Sequence, residues 1–247
     1  MDITSYVLLS HEQALRRRMD VASNNMANTS TVGFRREQPV FHEYVNDKAE
    51  GPVDAARKVS FVLDYGAVHD TRAGAFQTTG NALDVAIDGP GYLTVEAPGG
   101  GTAYTRSGAL KVLEGGELAI STGQRLLDDK GEPIVVPPDQ TPGLRISEDG
   151  TVVGTAGPLG RLTVTLFENE TAVSPRGDGL MAGEGGRVLA AAETRLKSGG
   201  VEGSNVQPIV ETTSMVEILR SYQTSQRMSE AINDMRKRAM ERLSRIG

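Results

Sequence analysis

The sequence predicts an α+β protein with long N- and C-terminal helices that form a coiled-coil-like pair, and with a central antiparallel β domain. Three observations lead to this prediction. With 29 Gly among 247 residues and only 4% aromatic residues, the chain must make many turns around a thin core. Residues 205–246 contain a single Pro and no Gly, whereas the middle has one or the other every few positions. The two ends together carry a formal charge of +2, while residues 47–204 carry −8.

The N-terminal segment is predicted to be a helix that ends at a group of asparagines. Two sets of residues repeat every seven positions on one face, namely Leu8, Leu15 and Ala22, and Glu12, Met19 and Met26. Asn24, Asn25 and Asn28 follow, and Asn tolerates the left-handed conformation that ends many helices. Gly33 offers a second position for a positive φ, just before Phe34. The chain is then expected to be extended.

The middle of the chain is predicted to contain short strands separated by tight turns. Five windows alternate or run apolar over the length of a strand, namely 59–63, 83–87, 91–95, 134–136 and 161–166. Gly and Pro clusters between them have turn compositions. Because no long helical pattern intervenes, we expect an antiparallel barrel-like or sandwich-like body rather than an α/β fold.

The C-terminal segment is predicted to be one long helix from Pro208 to Ile246. In a heptad frame that starts at Met215, seven of the ten core positions are apolar. Pro208 would fall in the first turn, where its missing N–H costs no intrahelical hydrogen bond. Asn205 is a candidate N-cap. A helix of this length is several times the usual ~11–12 residues, so its apolar stripe needs more than one neighbour.

These elements predict three parts of the chain. Residues 1–33 and 205–247 form a discontinuous helical assembly domain, residues 34–79 an extended linker and β segment, and residues 80–204 the central β domain. We expect the two helices to form bundles that are shared between subunits. The expected contact residues are Leu8, Leu15, Met19, Met26, Ile218, Tyr222, Ile232 and Leu243.

The composition disfavours several classes of protein. The chain has no Cys, which excludes disulfides and thiolate chemistry. A net charge of −6 argues against a basic face for nucleic acid. No apolar run approaches the roughly 18 residues of a membrane span, so we expect no membrane insertion. The opening residues also lack the basic and apolar regions of a cleaved signal peptide.

Candidate catalytic and metal-binding residues find little support. His11, His42 and His69 are far apart in sequence and are expected at the surface. Asp84 and Asp88 would stand about 13 Å apart on a strand, too far for a glycosidase pair, and are expected to face outward. The sequence therefore predicts no catalytic residue, no metal site and no cofactor.

Several groups of residues form motifs that occur together in a fixed order. They are Asn24 to Asn28 with Thr31 to Phe34, Asn81 to Tyr92 with Tyr104 to Gly108, Gly123 and Gln124 with 128–133 and 135–137, and Val201 to Val206. Together they resemble the signature of bacterial flagellar rod and hook proteins. The N-terminal motif rests on Asn24, Asn25, Asn28, Gly33 and Phe34. Arg35 stands where this family usually has Lys, which preserves the charge.

The resemblance implies a structural subunit of the flagellar basal-body rod, not an enzyme. Such a subunit would pack its helices with neighbouring axial subunits and transmit torque across the periplasm. Its partners would be other proximal and distal rod proteins and the flagellar type III export apparatus, with export to the periplasm without a cleaved signal peptide.

Two alternatives stay open beside a proximal-rod subunit. The opening Met1-Asp2, with Tyr6-Val7, looks most like the proximal-rod members, and a distal-rod member is the nearer alternative. The other is a secreted β-rich protein that binds peptidoglycan. A hydrolytic version of it would need two carboxylates in a cleft, one of them with a raised pKa.

Overall fold

The structure is a computed structural model, and it describes residues 3–46, 59–169, 173–176 and 179–244. The chain separates into two compact units. Unit 1 takes residues 1–27, 37–68 and 207–247, and unit 2 takes residues 28–36 and 69–206. Helices together with many antiparallel strands give the predicted α+β class. The predicted domain limits at residues 34, 80 and 205 stay a prediction.

Unit 1 holds both helices and a two-stranded sheet. Helix α1 spans Ile3–Ala27 and helix α2 spans Pro208–Ser244, so both predicted helices are present in the described part of the chain. Strands β1 (Glu37–Asn46) and β2 (Val59–His69) pair with each other. The predicted helix end at Ile246 lies outside the described residues.

Unit 2 holds the remaining described strands, which are short. They are β3 (Phe76–Thr78), β4 (Val85–Ile87), β5 (Tyr92–Glu96), β6 (Thr102–Thr105), β7 (Leu110–Val112), β8 (Leu118–Ile120), β9 (Arg145–Ile146), β10 (Thr151–Gly154), β11 (Gly157–Arg161), β12 (Val164–Leu166), β13 (Ser174–Pro175), β14 (Met181–Ala182), β15 (Arg187–Val188), β16 (Leu196–Ser198) and β17 (Gly200–Glu202). A single 3-10 turn, Thr141–Gly143, lies between β8 and β9. The largest sheet has the order β13-β14-β6-β5-β12-β15.

Two predicted strands take a different form. The window 161–166 is divided because β11 ends at Arg161 and pairs with β10, whereas β12 begins at Val164 and pairs with β5. The chain therefore passes from one sheet to another at residues 162 and 163. The window 134–136 forms only an isolated bridge from Val135 to Glu117, although Ile134 is buried.

The apolar core of unit 2 is much larger than that of unit 1. Unit 2 buries a continuous cluster of aliphatic side chains from most of its strands, with Leu93, Leu118 and Leu162 at its centre. A smaller aromatic cluster includes Tyr92 and Phe167, whose ring centroids lie 6.0 Å apart. This core provides the rigid support for the residues described below.

Candidate functional site

Helices α1 and α2 contact each other inside unit 1. Leu15, Ala22 and Ile218 form a buried cluster. Farther along, Ser225 Oγ lies 3.3 Å from Glu12 Oε1, and Arg236 donates to Ser5 Oγ at 3.0 Å. Residue numbers fall along α1 as they rise along α2, so the two helices run antiparallel.

The predicted contact residues are only partly brought together. Leu15 and Ile218 are buried against one another, and Met19 and Tyr222 pack on the same cluster. The others lie elsewhere along the helices: Leu8 lines a groove with Met228, Met26 and Ile232 are half-buried, and the side chain of Leu243 lies outside the described residues. Their role between subunits stays a prediction.

Helix α2 also carries apolar side chains that unit 1 does not cover. The exposed fraction reaches 83% for Ile209, 50% for Leu219 and 63% for Met235. The others are Val210, Val216, Met228 and Met240. Apolar residues are ordinary at a surface when they are scattered singly, but seven of them exposed around the circumference of one helix are typical of a helix that packs against more than one neighbour.

The asparagine motif fixes the chain where α1 ends. Asn25 is 1% exposed, and its side-chain amide forms a reciprocal pair with the backbone of Glu37. Asn25 Nδ2 donates to the Glu37 carbonyl at 2.9 Å, and Asn25 Oδ1 accepts from the Glu37 N–H at 2.8 Å. Asn24 Nδ2 donates to the Glu37 carboxylate at 3.3 Å in an exposed position. Asn28 Oδ1 accepts from the Thr31 hydroxyl at 3.0 Å in the turn that follows.

Gly33 is the position at which the N-terminal, central and C-terminal motifs meet in unit 2. Its φ is +69°, and its N–H donates to the carbonyl of Glu202 at 2.8 Å. A Cβ atom here would lie 2.4 Å from the carbonyl carbon of Arg106. Glycine is therefore required both by the backbone conformation and by the close approach. The predicted positive φ at this residue is confirmed.

A buried ion cluster lies beside Gly33. The Glu202 carboxylate contacts two guanidinium groups: Oε1 lies 3.1 Å from Arg35 Nη2, and Oε2 lies 3.4 Å from Arg106 Nη1. The side chains of all three residues are at most 5% exposed. Arg35 also donates to the Thr71 carbonyl, and Arg106 donates to the Gly89 carbonyl at 2.7 Å. We call Arg35, Arg106 and Glu202, with the residues that hydrogen-bond to them, the motif junction.

His69 belongs to the same region and corrects the prediction that it is a surface residue. It is 3% exposed, and its Nε2 lies 3.0 Å from the Tyr92 hydroxyl. Burial lowers the pKa of His69, the nearby Arg35 lowers it further, and Asp70 opposes the shift. The shift favours the neutral form of His69 beside the Arg35 guanidinium. Its sequence neighbourhood gave no sign of this, because the groups that bury it come from distant parts of the chain.

Two other polar predictions are also wrong. Asp84 is 8% exposed rather than outward-facing, because its carboxylate accepts hydrogen bonds from the Thr79 hydroxyl at 2.6 Å and from Asn81 Nδ2 at 3.0 Å. Asn205 is not a simple N-cap. Its side chain accepts from the N–H of Arg36 at 2.7 Å and donates to the carbonyls of Asp70 and Arg72. Asn205 thus joins two distant segments of unit 2.

The described residues offer little for catalysis or metal binding. Within the described ranges, no three His, Cys, Asp or Glu residues are grouped so that they could hold a metal ion. Each described carboxyl group with a resolved shift has a lowered pKa. Arg72 lowers that of Asp70 to about 2, the Thr151 N–H lowers that of Asp149, and Arg187 lowers that of Glu193. A general acid with a raised pKa thus finds no support in this part of the chain.

A helix that spans a membrane must be both long enough and apolar enough to cross the bilayer. None of the helices in the described ranges combines the length and the apolar character needed to cross a bilayer.

Three segments of the chain match models of known protein families, and these segments include the charged residues of the motif junction. Residues 6–35 match a family described as "Flagella basal body rod protein", residues 86–154 match "Flagellar hook protein FlgE/F/G D1 domain", and residues 197–242 match "Flagellar basal body rod FlgEFG protein C-terminal". Each of the three matches contributes one charged residue of the junction: Arg35, Arg106 and Glu202, respectively.

Relatives that match over nearly their whole length support the same family. The rod protein FlgF of Caulobacter vibrioides is 32% identical, with 100% of both chains covered. FlgF of Salmonella typhimurium is 31% identical, with 99% of each chain covered. FlgG of Bacillus subtilis is 30% identical and covers 90% of this chain and 92% of its own.

The chain belongs to the family of flagellar basal-body rod proteins. Within that family it is similar to FlgF, and its role is that of a structural subunit of the rod.

Proposed function

We propose that the subunit assembles by packing the uncovered faces of α2 against helices of neighbouring rod subunits. The exposed apolar side chains of α2 carry this proposal. Leu219, next in sequence to the buried Ile218, is 50% exposed, and Met235 is 63% exposed. Burying one such side chain stabilises an interface by about 1.5–3 kcal/mol, so a few of them suffice for a specific contact.

The partner is expected to be another helix of the same kind. Helices α1 and α2 already bury Leu15 and Ile218 against each other, which leaves a preformed antiparallel pair. An antiparallel helix pair presents ridges of side chains at helical spacing, and such ridges pack best into the grooves of another helix. Helices of other axial subunits, from the same or another rod protein, meet that requirement.

The chain is proposed to be a proximal-rod subunit rather than a distal-rod one. The FlgF relatives from Caulobacter and Salmonella match over 99–100% of both chains, whereas the FlgG relative from Bacillus covers 90% of this chain. A subunit in this position would be exported through the type III apparatus without a cleaved signal peptide. In the periplasm it would transmit torque through its packed helices to the next rod protein.

The assembly proposal is tested with acidic substitutions at two exposed apolar residues on different faces of α2. Leu219→Asp and Met235→Asp place a charge where a neighbouring helix would pack, and an unpaired buried charge is strongly unfavourable. Because both side chains are exposed in the free chain, the purified variants should keep their far-UV circular dichroism. Cells that carry them should lose swimming and should lack rods beyond this subunit.

Asn233→Asp is the matched control, since it adds the same charge at an exposed polar position of α2. It should swim normally. Wild-type swimming by both apolar-to-acid variants would show that neither of these faces of α2 packs against a neighbouring helix. Leu15→Asp and Ile232→Asp test the predicted contacts in the same assay, with the β domain expected to stay folded.

A further inference from the structure

The segment 200–206 takes part in nearly every contact of the motif junction. Its first residues form strand β17, which pairs with β3 so that Gly200 opposes Thr78 and Glu202 opposes Phe76. The Glu202 carbonyl accepts the N–H of Gly33, and its carboxylate accepts the N–H of Gly74 at 3.0 Å. The segment thus joins two parts of unit 2, at residue 33 and at residues 74–78, that are far apart in sequence.

This segment supplies the carboxylate that balances the buried positive charges of the junction. Arg35 and Arg106 each have a side chain no more than 3% exposed, and both find their carboxylate partner in Glu202. A guanidinium cannot lose its proton to escape burial. If the segment were undocked, unit 2 would have to keep two buried cations without this anion or open to let water reach them. Removing one partner of a buried pair is far more costly than removing an exposed pair.

We propose that residues 200–206 act as a folding latch, so that unit 2 gains its stable structure only when this segment has docked. The proposal does not depend on how the subunit assembles. The latch is the C-terminal end of unit 2, and a chain is synthesised from its N-terminus. Unit 2 would therefore stay open until its synthesis is almost complete.

A folding latch and a local clasp differ in how much of unit 2 loses stability when the segment undocks. A local clasp would hold only the segments that it touches, at residues 28–36 and 69–78 and at Arg106. A latch would also determine the stability of strands β5 and β6. Tyr92 belongs to β5, and the Arg106 guanidinium lies 5.5 Å from the centroid of its ring. Hydrogen exchange measured peptide by peptide separates the two cases.

The test uses the full-length chain with Glu202→Gln, which keeps the shape and removes the charge. We expect the folding equilibrium constant of unit 2 to fall by at least about a hundredfold. Peptides that cover residues 92–105 should exchange faster by the same factor as peptides that cover 28–36. Glu193→Gln is the matched control, because Glu193 pairs with Arg187 at 2.8 Å in an exposed position. It should change exchange less than about fivefold.

Two further variants keep the test decisive if Glu202→Gln does not fold. Glu202→Asp keeps the charge on a shorter side chain and should fold, with a smaller rise in exchange over the same peptides. Arg35→Met combined with Glu202→Gln removes one of the two cations that contact Glu202. The folding equilibrium constant of unit 2 should then recover part of the fall caused by Glu202→Gln alone. Wild-type exchange over residues 92–105 in Glu202→Gln or Glu202→Asp, with faster exchange only at 28–36, would overturn the latch.

Discussion

At the scale of single residues, the family motifs are explained by close approach and by buried charge. Gly33 allows the backbone at residue 33 to lie against the backbone of Arg106, and the Glu202 carboxylate contacts two guanidinium groups at once. Arg35, where the family usually has Lys, uses one nitrogen for Glu202 and another for the Thr71 carbonyl. The forked guanidinium can serve both acceptors, which a single ammonium would reach less well.

Gly33→Ala should destabilise unit 2 strongly. The left-handed conformation costs a non-glycine residue roughly 1–2 kcal/mol, and the clash with the Arg106 backbone adds to this cost because backbone cannot easily move aside. Urea unfolding should give a lower midpoint. Gly99→Ala is the control, since its φ is +90° but a Cβ atom there would meet nothing within 4 Å. Equal losses in both variants would mean that close approach at Gly33 is unimportant.

His69 should make the stability of unit 2 depend on pH. Its folded-state pKa lies below the ordinary 6.5, so the unfolded chain takes up the proton first as the pH falls. The contribution of neutral His69 is complete above pH 6.5 and is lost as the pH falls through the folded-state pKa. Arg35 stays charged throughout, and Asp70, with a pKa of about 2, does not titrate in this range.

Urea midpoints measured from about pH 8 to about pH 5 would check this prediction. The wild-type midpoint should fall towards acid, and His69→Gln should show a flatter profile. His42→Gln replaces an exposed histidine and should follow the wild type. A profile for His69→Gln that declines as steeply as the wild type would assign the acid sensitivity to other groups.

At the scale of elements, the end of α1 is held to the start of β1 by one side chain. Asn25 offers a donor and an acceptor in the same arrangement as a backbone amide, and the backbone of Glu37 uses both. Leaving those two buried backbone groups unsatisfied costs about 1–3 kcal/mol each. Asn25 is therefore a structural part of the motif rather than a contact for another molecule.

Asn25→Ala should lower the stability of unit 1 by about 2 kcal/mol or more. Loss of far-UV circular dichroism in urea reports this unit, since both helices belong to it. Asn24→Ala is the matched control, because Asn24 is exposed and its Nδ2 donates to the Glu37 carboxylate at 3.3 Å rather than to the Glu37 backbone. It should leave the midpoint within about 0.5 kcal/mol of the wild type. The motif explanation fails if the two variants lose equal stability.

Local sequence patterns predicted the helices and many of the strands, but they predicted poorly which of these elements contact each other. The repeat through Leu15 and the frame that contains Ile218 both indicate helices, and the structure pairs the two residues. The repeat cannot reveal whether the partner helix lies in the same chain or in another. Burial of His69 was missed for a related reason. Arg35 and Tyr92, which act on His69, lie at distances in sequence that no local pattern records.

At the scale of the whole molecule, the two units differ in how much apolar surface they bury. Unit 2 has a continuous core from most of its strands, whereas the described core of unit 1 centres on Leu15, Ala22 and Ile218. Helix α2 is 37 residues long, and much of its far half is exposed. Helical stability in proteins comes mainly from packing, so unit 1 in the free chain should be the weaker of the two.

The free subunit should therefore unfold in two steps, unit 1 before unit 2. Leu15→Ala and Leu118→Ala test this directly, because each removes a side chain no more than 3% exposed from one core only. Each should cost about 2–5 kcal/mol in its own unit. Hydrogen exchange during a urea series should show Leu15→Ala opening peptides of the helices earlier while peptides that cover 110–126 keep the wild-type midpoint. Leu118→Ala should do the reverse. A single transition, shifted equally by both variants, would show that the free chain unfolds as one cooperative body, and the weak helical unit would then not be available to order itself on assembly.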